Sequence, residues 1–68
     1  MPDPGQKVAL LVEGEWRGGF RAVSGPLTGK EGGIVVLVAE EEEYRASRLA
    51  DRRPVRMAWP VDGLRIEE

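Results

Sequence analysis

Apolar side chains recur at every second position in several short stretches of this chain, and turn-forming residues separate those stretches. Between Gln6 and Glu13, Val8, Leu10 and Val12 fall on one side, and Ala9 and Leu11 on the other. A period of two with β-branched residues specifies a strand, not a helix. Glu13-Gly14-Glu15 is a short polar break with a glycine, a hairpin signal. A second strand is expected from Trp16 to Val23, with Trp16, Phe20 and Ala22 on one face and Arg17, Arg21 and Val23 on the other. Gly18 and Gly19 lie in its middle, where glycine usually marks a bulge or a close backbone approach. Ser24 to Gly33 reads as a loop. A third strand is expected from Ile34 to about Glu42: Ile34 to Ala39 is apolar throughout, which predicts a central strand buried on both faces near that end, turning acidic and emerging into solvent over Glu40 to Glu43.

The stretch from Tyr44 to Arg53 is ambiguous. Tyr44 to Ala50 reads as an extended segment or turn, with one or two turns of helix as the alternative, because Ala, Arg and Leu are good helix formers. Val55, Met57 and Trp59 alternate with Arg56 and Ala58, giving a fourth strand that Pro60 ends. Pro60-Val61-Asp62-Gly63 is turn chemistry. Leu64 and Ile66 form a brief last strand, and Glu67-Glu68 is expected to fray. Pro2, Pro4 and Gly5 keep residues 1–5 irregular or disordered.

Several short strands with a glycine-broken second one form a small-barrel pattern. The ending Met57-Ala58-Trp59, Pro60-Val61-Asp62-Gly63, Leu64-Arg65-Ile66 resembles that of SH3-like barrels, in which one 3₁₀ turn joins the last two strands. The opening Gly5-Gln6-Lys7-Val8 with Gly14-Glu15-Trp16-Arg17-Gly18-Gly19 is similar to the first hairpin of Tudor-type and other SH3-like modules, and the ending also resembles a PRC-type barrel. The resemblance implies an all-β fold: a single five-stranded SH3-like barrel spanning 1–68, with a short 3₁₀ turn before the last strand. It implies a binding or assembly role and carries over no ligand. A Tudor-type cage needs clustered aromatics, and the chain has only Trp16, Phe20, Tyr44 and Trp59.

Composition narrows the function classes. The 68 residues hold no Cys and no His, so neither thiolate chemistry nor the usual neutral-pH proton carrier is present. Gly25 to Glu31 imitates a phosphate loop, but three residues separate its glycines where four are needed, and Glu31 replaces the hydroxyl that follows the lysine. Carboxylates of Glu40 to Glu43 on a strand alternate between faces, so at most two can converge on a cation. No catalytic, cofactor or metal residue is therefore assigned, and no enzyme activity or small-molecule substrate is expected. Nothing resembles a signal peptide or membrane span, which predicts a cytoplasmic location. Abundant Arg and few thermolabile side chains fit a thermophilic source; a GC-rich genome produces the same bias.

What remains is a non-catalytic interaction module, binding protein or itself as a possible homodimer. A core this small barely offsets the entropy of ordering the chain, which favours association. The candidate contact residues are Trp16, Arg17, Phe20 and Arg21 on the second strand, with Tyr44, Arg45 and Arg48 beyond the acidic run. An apolar patch is expected if Trp16 and Phe20 are both exposed. The alternative is an RNA- or ribosome-associated barrel using the basic cluster Arg45, Arg48, Arg52, Arg53 and Arg56. Against nucleic acid stands a net charge of −2, and these arginines are expected chiefly to pair with the acidic run across a hairpin.

Overall fold

A computed structural model describes residues 2–67 of the chain. The expectations for Met1 and Glu68, at the irregular start and the fraying end, lie outside the described residues. The elements are β1 (Lys7–Val12), β2 (Glu15–Ala22), β3 (Leu27–Thr28), β4 (Ile34–Glu40), α1 (Glu41–Leu49), β5 (Met57–Pro60), a 3₁₀ turn (Val61–Gly63) and β6 (Leu64–Ile66). Every pairing is antiparallel, in the order β3-β4-β2-β1-β6, with β5 also on β4. Val38 pairs with both Ala22 and Met57, and Val35 with both Leu27 and Pro60. So β2 and β3 follow one another along one edge of β4, and β5 takes the other edge.

The fold is all-β with one inserted helix: a curled six-stranded sheet forming an open half-barrel, where a closed five-stranded barrel was expected. The 3₁₀ turn falls immediately before the last strand. Val8, Leu10, Ala22, Val36 and Val38 fill the concave side, with Phe20, Trp59 and Leu64 packed against them. Trp59 donates its indole N–H to the Gly63 carbonyl at 2.9 Å. A Cβ at Gly63 would stand 3.2 Å from that nitrogen, so the glycine permits the close approach.

The β1–β2 turn is the two residues Glu13 and Gly14, both with positive φ (50° and 80°). That is the backbone of a type I′ turn, whose twist matches a hairpin. Farther along β2 the register slips. Phe20 faces Val8 but Arg17 faces Leu10, so β2 carries one extra residue around Gly18 and Gly19. Gly19 has φ of 90°. One extra residue inverts side-chain parity across a bulge. Trp16 therefore does not share a face with Phe20 and Ala22: it lies opposite Leu11 on the convex side, while Phe20 turns into the core.

The largest correction is α1. Tyr44 to Leu49 is helical, and β4 stops at Glu40, not near Glu42. Glu41, Glu42 and Glu43 occupy the first turn and Arg48 the last, as the helix dipole favours. The helix closes in a Schellman arrangement. Arg52 N–H donates to Ser47 O at 2.9 Å and Asp51 N–H to Arg48 O at 3.3 Å, with Asp51 at φ of 53° where glycine is usual. Ala39, opposite in parity to the core residue Val38, is buried, as is Ser47 of α1. The helix thus caps the convex side of β2 and β4 and leaves the concave core uncrossed.

The fourth expected strand begins at Met57, not Val55, because the Val55 N–H donates to a Glu43 carboxylate oxygen at 2.7 Å. The N-terminal segment is irregular but tied down: Gly5 N–H donates to Ala22 O at 2.7 Å, and Pro2 is buried. The expected loop from Ser24 to Gly33 contains β3. Among the described residues no helix is long and apolar enough to cross a membrane.

Candidate interaction surface

Of the candidate residues, Trp16, Arg21, Tyr44, Arg45 and Arg48 form two groups on the convex side, whereas Phe20, opposite Val8, and Arg17, opposite Leu10, lie on the concave one. The first centres on Trp16, 40% exposed beside Leu11 at 37%. The Arg65 guanidinium lies over the indole, 4.6 Å from the ring centroid. Arg65 reaches this position from β6, where it faces Ala9 across the ladder. Arg17 does not join the stack: it reaches Glu15 at 3.7 Å as an exposed pair, a type that contributes little.

The second group is Arg21 and Arg45 around Glu41, with Tyr44 and Arg48 beside Arg21. Arg21 grips the Glu41 carboxylate through Nε and Nη2, and its Nη1 donates to Gly5 O at 2.7 Å. One guanidinium thus joins β2, the start of α1 and the N-terminal segment. Its hydrogen bond with Glu41 holds that carboxyl below its ordinary pKa and raises the pKa of Arg21. Arg45 reaches Glu41 at 3.1 Å from the next helical turn. The Tyr44 ring has Arg21 at 5.6 Å and Arg48 at 5.7 Å from its centroid, a cation–π arrangement. Arg48 also donates to the Tyr44 hydroxyl at 3.3 Å.

Between the groups runs a shallow cleft lined by Lys7, Gly19, Phe20, Glu41 and Glu67. The Glu67 carboxylate accepts from Gly19 N–H at 3.3 Å. Phe20 lines this cleft only as part of the core's edge and forms no patch with Trp16.

Ion pairing of the arginines with the acidic run does occur, but through α1 and not across a hairpin. Arg52 Nη1 and Nη2 bind Glu43 at 2.7 and 3.2 Å. Together with the Val55 N–H they hold the Glu43 carboxyl down to a pKa of about 2. Arg53 and Arg56 have no acidic partner among the described residues. Nor do any three acidic side chains among the described residues converge as a metal-ligand set.

Leu11 and Arg65 were not singled out from the sequence. The pairing of Trp16 with Leu11 follows from the two-residue Glu13-Gly14 turn, and the alternation of β6 turns Arg65 away from Leu64. No protein-family model, curated protein or solved structure matches the chain.

Proposed function

We propose that this chain is a non-catalytic interaction module, an SH3-like half-barrel that engages another protein through the convex patch of Leu11, Trp16 and Arg65. The connectivity supports the fold assignment: β5 passes through a 3₁₀ turn into β6, which returns to pair with β1, as in the SH3-like ending. The observation that carries the reading is the half-exposed Trp16 under an arginine that has no acidic partner among the described residues. Trp and Arg are enriched in binding hot spots: Trp offers a large rigid apolar face and Arg a planar cation with several donors. By contrast Arg21 and Tyr44 are bonded within the domain and serve to dock α1.

A photo-crosslinker placed at Leu11 tests this in cells of the source organism. A discrete protein adduct is expected, lost in both Trp16→Ala and Arg65→Ala. An adduct indifferent to both substitutions, or no adduct, overturns the assignment of this patch. The RNA-associated reading has less support, since Arg45, Arg48 and Arg52 are engaged within the chain.

A further inference from the structure

On the convex side Ala39 of β4 is buried, whereas Leu37, two residues back on the same face, is only half-buried. Val23 lies beside it and donates its N–H to Leu37 O at 2.7 Å. Both residues alternate with the core residues Ala22, Val36 and Val38, so both face outward. The segment that joins α1 to β5 supplies the other wall. Arg53, Pro54 and Arg56 enclose with Val23 and Leu37 a cleft of about 290 Å³.

That second wall is fixed. The Glu43 carboxylate takes Arg52 on one side of Arg53-Pro54 and the Val55 N–H on the other. Arg56 bends back and donates from Nη1 to Pro54 O at 3.2 Å. Arg53 and Arg56 are nevertheless exposed, and neither has an acidic partner among the described residues. Glu43, the acid closest to them in the chain's architecture, is already engaged by Arg52 and Val55.

We infer that this cleft binds an acidic, extended segment of another protein. The segment places one aliphatic side chain among Val23, Leu37 and Pro54, and its carboxylates meet Arg53 and Arg56. It is a separate surface from the Trp16 patch and does not depend on it.

Charge and shape select this occupant. An apolar floor favours a hydrocarbon side chain, which leaves water as it enters. Two guanidiniums at the cleft suit carboxylates, because each planar fork can donate two parallel N–H bonds to one of them. The clamp on Arg53-Pro54 orders this wall in advance, which lowers the entropy lost on binding. A nucleic-acid strand fits less well. It gains affinity from phosphates along a run of cations, whereas Asp51 is exposed two residues before Arg53 and the chain carries a net charge of −2. A phosphate also gains nothing from an apolar floor.

Titration of the isotope-labelled chain with the probe peptide acetyl-Asp-Glu-Leu-Glu-Asp-amide, followed through the amide NMR resonances, tests the inference. Alternation along an extended peptide puts its leucine and both terminal aspartates on one side. Saturable shifts are expected at Val23, Leu37, Arg53 and Arg56. Arg53→Glu and Arg56→Glu should each weaken binding by about tenfold or more, since an attraction becomes a repulsion. Replacing the peptide's leucine with serine should weaken it comparably, and Trp16→Ala should leave it unchanged. Both arginines lie outside regular elements, a circular dichroism melt checks that their variants fold, and the serine peptide tests the cleft without altering the chain. Absence of saturable shifts up to millimolar peptide overturns the inference. So does binding indifferent to both arginine reversals or to the serine exchange, or binding lost in Trp16→Ala. Tighter binding of oligouridylate at the same amides would assign the cleft to nucleic acid, and shifts there that grow with protein concentration alone would assign it to a second copy; either result overturns the inference.

Discussion

Replacing Gly19 with alanine isolates the backbone feature that turns Phe20 into the core while Trp16 faces outward. Gly19 has φ of 90°, and a Cβ built there meets nothing within 4 Å. Steric conflict with neighbours is therefore absent, and the penalty is the left-handed backbone alone, about 1–2 kcal/mol for an L-residue. Alanine also narrows the unfolded ensemble, which returns about 0.4–1 kcal/mol. The net loss is about 1 kcal/mol, or about 4–8 °C in Tm for a domain of this size. Gly18 is the internal control. Its φ is not in the left-handed region, and the nearest atoms to an added Cβ are the end of the Glu67 side chain, at 2.8 Å. That carboxylate is exposed and can swing aside, giving up one long bond from Gly19 N–H. Gly18→Ala should therefore stay within about 0.5 kcal/mol of wild type, as surface changes usually do. Thermal melts followed by circular dichroism distinguish the two. Equal losses, or a Gly19→Ala variant more stable than wild type, would refute a bulge centred on Gly19 and with it the inward placement of Phe20.

The Glu43 carboxyl, held at about 2 against an ordinary 4.5, has its pKa depressed by folding. Its stabilising contribution is thus complete above pH 4.5 and lost as pH falls from there towards 2. The stability gap between wild type and Glu43→Gln, measured by urea unfolding, should be widest at neutral pH and close across that window; a gap independent of pH contradicts the Arg52 and Val55 contacts. Leu10 is fully buried, so Leu10→Ala should cost about 2.7–5 kcal/mol, enough to consume much of the stability of a small domain. Its convex neighbour Leu11→Ala should cost under about 1 kcal/mol by the same measurement, and similar losses at both sites would invert the assigned faces.

The strands were legible because alternation is local information. Val8 and Leu10, Val36 and Val38, or Met57 and Trp59 reveal their shared face by spacing alone. The helix was misread for an equally local reason. Four consecutive glutamates after an apolar strand resemble its solvated end, yet Glu41 to Glu43 also suit the first turn of a helix. Asp51 at the C-terminal left-handed position, three residues before Pro54, marks where such a helix stops. The interaction surface was legible only in part. Trp16, Arg21, Tyr44, Arg45 and Arg48 were named as residue types suited to contact. Spacing could not tell that Arg21 and Tyr44 would be occupied by α1, or that Arg65 would cross from the last strand to Trp16.

Period-two patterning and turn chemistry by themselves determined that the chain forms short antiparallel strands around one small core, with a 3₁₀ turn before the last. Only the tertiary structure decided that Trp16 and Phe20 face opposite sides, since one extra residue at Gly18-Gly19 reverses parity and its effect is defined only by the partner strand β1. Likewise only the fold decided that β5 begins at Met57, because a Glu43 carboxylate takes the Val55 N–H that would otherwise extend the ladder. Both outcomes rest on contacts between residues distant enough in sequence that no local pattern encodes them.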